Sequence, residues 1–144
     1  MESNQVIFKY SIADAFALDS TVVTITDRLL NNLEVEHKTR GEKVVKRSYH
    51  LNIMEIEYVK ILVKNFINEV GEGFEIEPAP VLDGTLHDFD MQVKDKKFEF
   101  SVDNLWYYEQ GENVNANKLL NIFYKIRVLV IQNGVRDDEF TLNM

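Results

Sequence analysis

Between Thr85 and Val102 apolar and polar residues take strict turns, broken only by the polar run Lys94-Asp95-Lys96-Lys97. A period of two puts every second side chain on the same face, so such a stretch folds as a hairpin with one face in a core and the other in water. This requirement constrains the chain more than any other feature, because a one-sided hairpin needs further strands beside it and helices to cover it. A helical pattern flanks it on each side, at 53–70 and 119–130.

The remaining strands are expected N-terminal to the first helix. Gln5 to Ile12 and Thr21 to Thr26 are rich in β-branched and aromatic residues, and Asp14 to Ser20 offers turn chemistry between them. Leu33 to Lys38 alternates, meets Thr39-Arg40-Gly41 and continues as Val44 to Leu51, a second hairpin with Gly at the turn. Arg28 to Asn32 reads either as a bulge or as a short helical turn. Ile53, Ile56, Val59, Val63, Phe66, Ile67 and Val70 form one stripe at spacings of three and four, which predicts a helix. Asn52 is its N-cap, Glu55 completes a capping box, Glu57 adds negative charge near the start of the helix, and Gly71 stops it. Pro78 and Pro80 keep the next connector irregular, with Phe74 and Ile76 as a possible edge strand. A second helix follows the Gly111 to Asn115 loop, capped by Asn113 or Asn115, uses Leu119, Leu120, Phe123, Ile126 and Val130, and ends at Asn133-Gly134. The expectation is one α+β domain over 1–144, ordered ββββ-α-ββ-α, with an antiparallel sheet of about six strands covered on one face by two helices and a tail, 136–144, that frays.

Composition narrows the function. The chain has 144 residues, 45% of them hydrophobic, enough for one core. It has no cysteine, which excludes disulfides, thiolate metal sites and a cysteine nucleophile. No apolar run approaches the roughly 20 residues of a membrane span, and the N-terminus lacks a signal pattern, so a soluble cytoplasmic protein without membrane contact is expected. The net charge of −8 argues against direct nucleic-acid binding. Residues 52–112 hold 5 basic and 14 acidic side chains, a net of −9, while both flanks are near neutral, so a basic protein would be steered to the middle segment. The six glycines form no phosphate-binding loop, and no cofactor is implied.

The candidate site follows from the hairpin's polar face. With Asp95 and Lys96 as a two-residue turn, Val93 faces Phe98, Met91 faces Phe100 and Phe89 faces Val102. On the other side Gln92 faces Glu99, Asp90 faces Ser101 and Asp88 faces Asp103. Facing carboxylates suggest a site that a cation completes, a metal ion or a partner's Lys or Arg. A longer turn would shift the register and dissolve the pair, and both could also simply point into water. His87 falls on the apolar side, which separates it from Asp88 and Asp90 and speaks against a hydrolytic cluster with Asp83. It is expected to be a core or rim histidine with one hydrogen-bond partner. His37, His50 and His87 show no metal-ligand spacing, and neither catalytic nor metal-binding residues are assigned. Trp106, Tyr107 and Tyr108 cannot all face one core, so at least one ring is expected to be partly exposed, as a binding anchor or as a cover on the core's rim.

The block Val81-Leu82-Asp83-Gly84-Thr85, with the hairpin, aromatic loop and closing helix after it, resembles a layout of small bacterial α+β proteins, some of them similar to immunity proteins of toxin systems. The resemblance spans residues 80–131, carries over no functional residue, and implies a non-enzymatic protein whose acidic surface blocks a basic toxin. The expected function is therefore protein binding or inhibition. Its contact residues are Asp88, Asp90, Glu99, Asp103, Trp106, Tyr107 and Tyr108. The alternatives are a metal-dependent hydrolase using the Asp88/Asp103 pair, or an acidic mimic of nucleic acid that occupies a DNA-binding protein. Homo-oligomerisation through a bare sheet edge is also open.

Overall fold

A computed structural model describes residues 5–14, 19–39, 44–78 and 85–137. Strands β1 (Val6–Asp14), β2 (Ser20–Thr26), β3 (Leu33–Lys38) and β4 (Val44–Tyr49) precede helix α1 (Ile53–Val70). Strands β5 (Thr85–Val93) and β6 (Lys96–Asp103), a 3-10 turn (Leu105–Gln110) and helix α2 (Val114–Gln132) follow. The strands form one open antiparallel sheet in the order β4-β3-β2-β1-β5-β6. The α+β architecture expected from the sequence is therefore the one observed. Residues 138–144, most of the tail expected to fray, and the block Val81–Gly84 lie outside the described residues, as do Arg40 and Gly41 at the β3–β4 turn.

β1 lies in the middle because the chain runs outward through β2, β3 and β4, then crosses by α1 to lay β5 on β1's other edge. Its inward residues Phe8, Tyr10 and Ile12 are fully buried, as are Val23 and Ile25 of β2, Leu33 and Val35 of β3, and Phe89 and Met91 of β5. A register shift between Val6 and Phe8 lets two successive residues, Ile7 and Phe8, both be buried, which regular alternation forbids. α2 packs its Phe123 ring 4.7 Å from Tyr10 and 6.1 Å from Phe89, while α1 sets Phe66 edge-on to Phe98 at 4.9 Å. Phe74 and Ile76 are half-buried against this core but form no strand, a correction to the edge strand expected there.

The caps bind the helices to each other. Asn52 Oδ1 accepts from the Glu55 amide at 2.8 Å and Glu55 Oε1 accepts from the Asn52 amide at 3.0 Å, the expected capping box. The second carboxylate oxygen of Glu55 accepts from Asn133 Nδ2 at 2.7 Å, so the start of α1 is tied to the end of α2. Asn113 caps α2 through the Ala116 amide at 2.9 Å, and Asn115 instead donates to the Glu75 carbonyl at 2.7 Å.

Arg28 to Asn32 is neither bulge nor helical turn. It is a bend in which Asn31 takes φ +52° and the Asn32 amide, fully buried, acts as an extra peptide group. Asn32 Oδ1 accepts from the Leu51 amide at 2.7 Å, and Nδ2 donates to the Leu51 carbonyl at 2.8 Å and the Arg28 carbonyl at 3.0 Å. This cross-link ends β4 at Tyr49 and aims the chain into α1.

Candidate functional site

The β5–β6 turn is Lys94-Asp95, with Lys94 at φ +56°, and Val93 pairs with Lys96. The ladder is thus offset by two residues from the expected one. The inner and outer faces keep their residues, because an even shift preserves alternation, but every partner changes. Asp88 lies opposite Ser101, Asp90 opposite Glu99 and Leu86 opposite Asp103. The expected Asp88/Asp103 pair does not exist, and with it goes the geometry on which the metal-dependent hydrolase rested. The reason is a tertiary contact: the side-chain amide of Gln5 brackets the Lys94 backbone, donating to its carbonyl at 2.9 Å and accepting from its N–H at 3.3 Å, which holds the turn one residue earlier.

Asp88, Asp90, Glu99 and Asp103 all lie on the sheet face away from the helices. Asp88 accepts from Ser11 at 3.4 Å across the β1 ladder and from Ser101 across the β6 ladder. Asp90 stands between Lys9 of β1 and Glu99 of β6. Two carboxylates facing across a ladder repel, and here Lys97 meets Glu99 at 2.8 Å, an exposed pair in which Glu99 raises the lysine's pKa. A shallow depression of about 330 Å³ runs among Lys9, Ser11, Asp88, Asp90, Glu99 and Ser101. Among the described residues no three His, Asp or Glu side chains converge as metal ligands would.

His87 faces the core. It is fully buried, with Nδ1 2.8 Å from the Tyr10 hydroxyl, Nε2 3.2 Å from the Thr85 hydroxyl and the Trp106 ring edge-on at 5.0 Å. It thus has a hydroxyl at each ring nitrogen where one partner was expected, and either hydroxyl can donate or accept. Burial pushes the Tyr10 phenol far above its ordinary range. Asp88 and Asp90 lie across the sheet from His87, and Asp83 is outside the described residues.

The three adjacent aromatics sit in the 3-10 turn after β6. Trp106 is half-buried between His87 and Phe123, and Tyr108 is buried with its hydroxyl donating to the Glu77 carbonyl. Tyr107 is the ring left in water, 51% exposed, beside a hollow of about 540 Å³ formed with Glu77, Pro78, Gly111, Glu112 and Asn113.

A larger cleft, about 940 Å³, lies at the other end of the chain's order, between the Asp27–Asn32 bend and the entry to α1. Leu29, Leu51, Ile53, Met54 and Ile56 give it apolar walls. Sequence reasoning missed it because Ile53 fits the core stripe of α1, yet it is 69% exposed. The available signal was the polar-flanked pair Leu29-Leu30 in a bend, and the second α1 stripe Met54, Tyr58, Ile61.

No protein-family model matches this sequence, and a search of curated proteins finds no relative.

Proposed function

We propose that this chain is a non-enzymatic binding protein of the inhibitory, immunity-like kind, acting in the cytoplasm, which receives a basic protein on the outer face of the β5–β6 hairpin. One observation supports this above others: both helices cover one side of the sheet, and the opposite side holds Asp88, Asp90, Glu99 and Asp103 on two neighbouring strands. Facing acids cost stability in the free protein and gain value when a partner's Lys or Arg enters between them. Tyr107 is the exposed aromatic of the 3-10 turn that follows β6, while Trp106, against His87 and Phe123, and Tyr108, bonded to the Glu77 carbonyl, contribute by holding that turn in place.

The test is affinity capture from the native cell, followed by calorimetry with the captured partner purified. A basic partner with micromolar or tighter affinity is expected, weakening at least tenfold between about 0.05 and 0.5 M salt. The combined variant Asp88→Lys, Asp90→Lys, Glu99→Lys abolishes that binding if the reading holds. Failure to recover a basic protein, or binding indifferent to both salt and the variant, refutes it; recovery of a DNA-binding protein displaced by duplex DNA points to nucleic-acid mimicry instead.

A further inference from the structure

The hollow of about 540 Å³ beside the 3-10 turn differs in charge from the other two depressions. The outer-face depression holds Lys9 and the large cleft holds Arg28, whereas this one has no basic side chain among the described residues and has Glu77 and Glu112 in its wall. Tyr107 and Tyr108 line it too, with ring centroids 5.2 Å apart and planes at 87°, so the rings form a corner rather than a stack. Half of Tyr107 is in water, which leaves π-surface of its ring open to a ligand.

The corner is built before any ligand arrives. The Tyr108 hydroxyl donates to the Glu77 carbonyl, the Tyr107 amide to the Asn104 carbonyl at 3.1 Å, and the Gly111 amide to the Tyr108 carbonyl at 3.1 Å. Walls held in this way cost little further ordering on binding. The same bonds decide which ion suits the hollow. The carbonyls of Glu77 and Tyr108 already accept, and Asn113 Oδ1 accepts from the Ala116 amide at 2.9 Å, so ring surface and two carboxylates are what remain for a ligand. A primary ammonium is strongly hydrated and needs an acceptor for each N–H it withdraws from water. An alkylated ammonium has few N–H groups or none, and ring faces and carboxylates attract its charge without directed bonds.

We infer that this hollow is a binding site for an alkylated ammonium ion, with the charge against the Tyr107 ring and balanced by Glu77 and Glu112. The net charge of −8 favours entry of such an ion. The site shares Tyr107 with the contact surface proposed above but goes beyond it, since it needs no protein partner.

Titration of the full chain with choline, followed by proton–nitrogen correlation NMR, tests this. Saturable shifts centred on the amides of Tyr107, Tyr108, Gly111 and Glu112 are expected, with Kd on the order of 1 mM. Tyr107→Leu keeps apolar bulk without a ring quadrupole and is expected to weaken binding about tenfold, whereas Tyr107→Phe stays within about threefold. Glu77→Gln with Glu112→Gln weakens it about threefold. These three side chains are exposed, and an unchanged urea midpoint verifies that each variant is folded. The alcohol in which carbon replaces choline's nitrogen is expected not to bind. Acetyl-trimethyllysine amide binding more tightly than choline assigns the ion to a protein side chain, and the reverse order to a free small molecule; the site stands in either case. Asp88→Lys with Asp90→Lys and Glu99→Lys keeps choline affinity within about twofold at ~0.15 M salt, so loss of the basic partner and loss of this site are read separately. No saturable shift up to about 50 mM choline overturns the inference. So does a carbon isostere that binds as tightly as choline, or a Tyr107→Leu variant that binds like the wild type.

Discussion

Asn32→Ala removes the amide that joins the β2–β3 bend to the entry of α1. Three hydrogen bonds are lost, two of them to the backbone of Leu51, which is 1% exposed. Each buried peptide group left without a partner costs about 1–3 kcal/mol, and the bond to the half-buried Arg28 about 1 or less. The cleft beside Asn32 lets water reach part of the gap, which puts the expected loss near 3 kcal/mol rather than the upper sum. For a chain of this size that is a fall of roughly 10 °C in Tm. The assay is urea unfolding followed by the fluorescence of the single tryptophan, Trp106, with the slope unchanged and the midpoint moved. Asn32→Asp provides the control. Its carboxylate still accepts from the Leu51 N–H, but the second oxygen faces two carbonyls and favours the protonated form, so the folded pKa lies above the unfolded value. The unfolded state then binds fewer protons between those two values, and stability declines as pH rises through that window. Asn32→Asp is therefore expected to approach wild type at pH near 4 and Asn32→Ala at pH 7. A loss below about 1 kcal/mol for Asn32→Ala, or identical pH profiles for the two variants, would refute the cross-link.

Lys94→Gly relieves a left-handed lysine in the hairpin turn, and since Gln5 contacts only the Lys94 backbone, a gain of about 0.5–1 kcal/mol is expected in the same unfolding assay. Tyr10 resists ionisation while folded, so above pH about 10 only the unfolded chain releases that proton and stability falls by about 1.4 kcal/mol per pH unit; Tyr10→Phe should flatten this alkaline slope while costing about 1–3 kcal/mol at neutral pH through the stranded His87 nitrogen. Tyr124, raised to about 12 chiefly by partial burial and then by its hydrogen bond to Glu109, should appear as a late phase in an ultraviolet titration, and Glu109→Gln should bring that phase down. Asn52→Ala breaks the capping box and is expected to cost about 1 kcal/mol, read as a shift of the urea midpoint.

Periodicity alone determined the elements and their faces. Alternation placed Asp88, Asp90, Glu99 and Asp103 on one side of the hairpin and His87 on the other, and it kept doing so when the register moved by two, because faces depend only on parity. Asn52, Glu55 and Gly71 bracketed α1 because capping is a contact over three or four residues. What lay beyond the sequence were contacts between distant segments. Gln5 sets the turn at Lys94 from 89 residues away, and Asn32 seizes Leu51 across 19. The strand order, with β1 rather than β3 at the centre, arises when α1 returns the chain to β1's free edge. The same tertiary packing decided which apolar residues found a core. Ile53 shares the spacing of Ile56 and Val59, yet it stays in water beside Met54 at the mouth of the cleft. A pattern along the chain states what a side chain prefers, and only the arrival of a neighbour decides whether that preference is met.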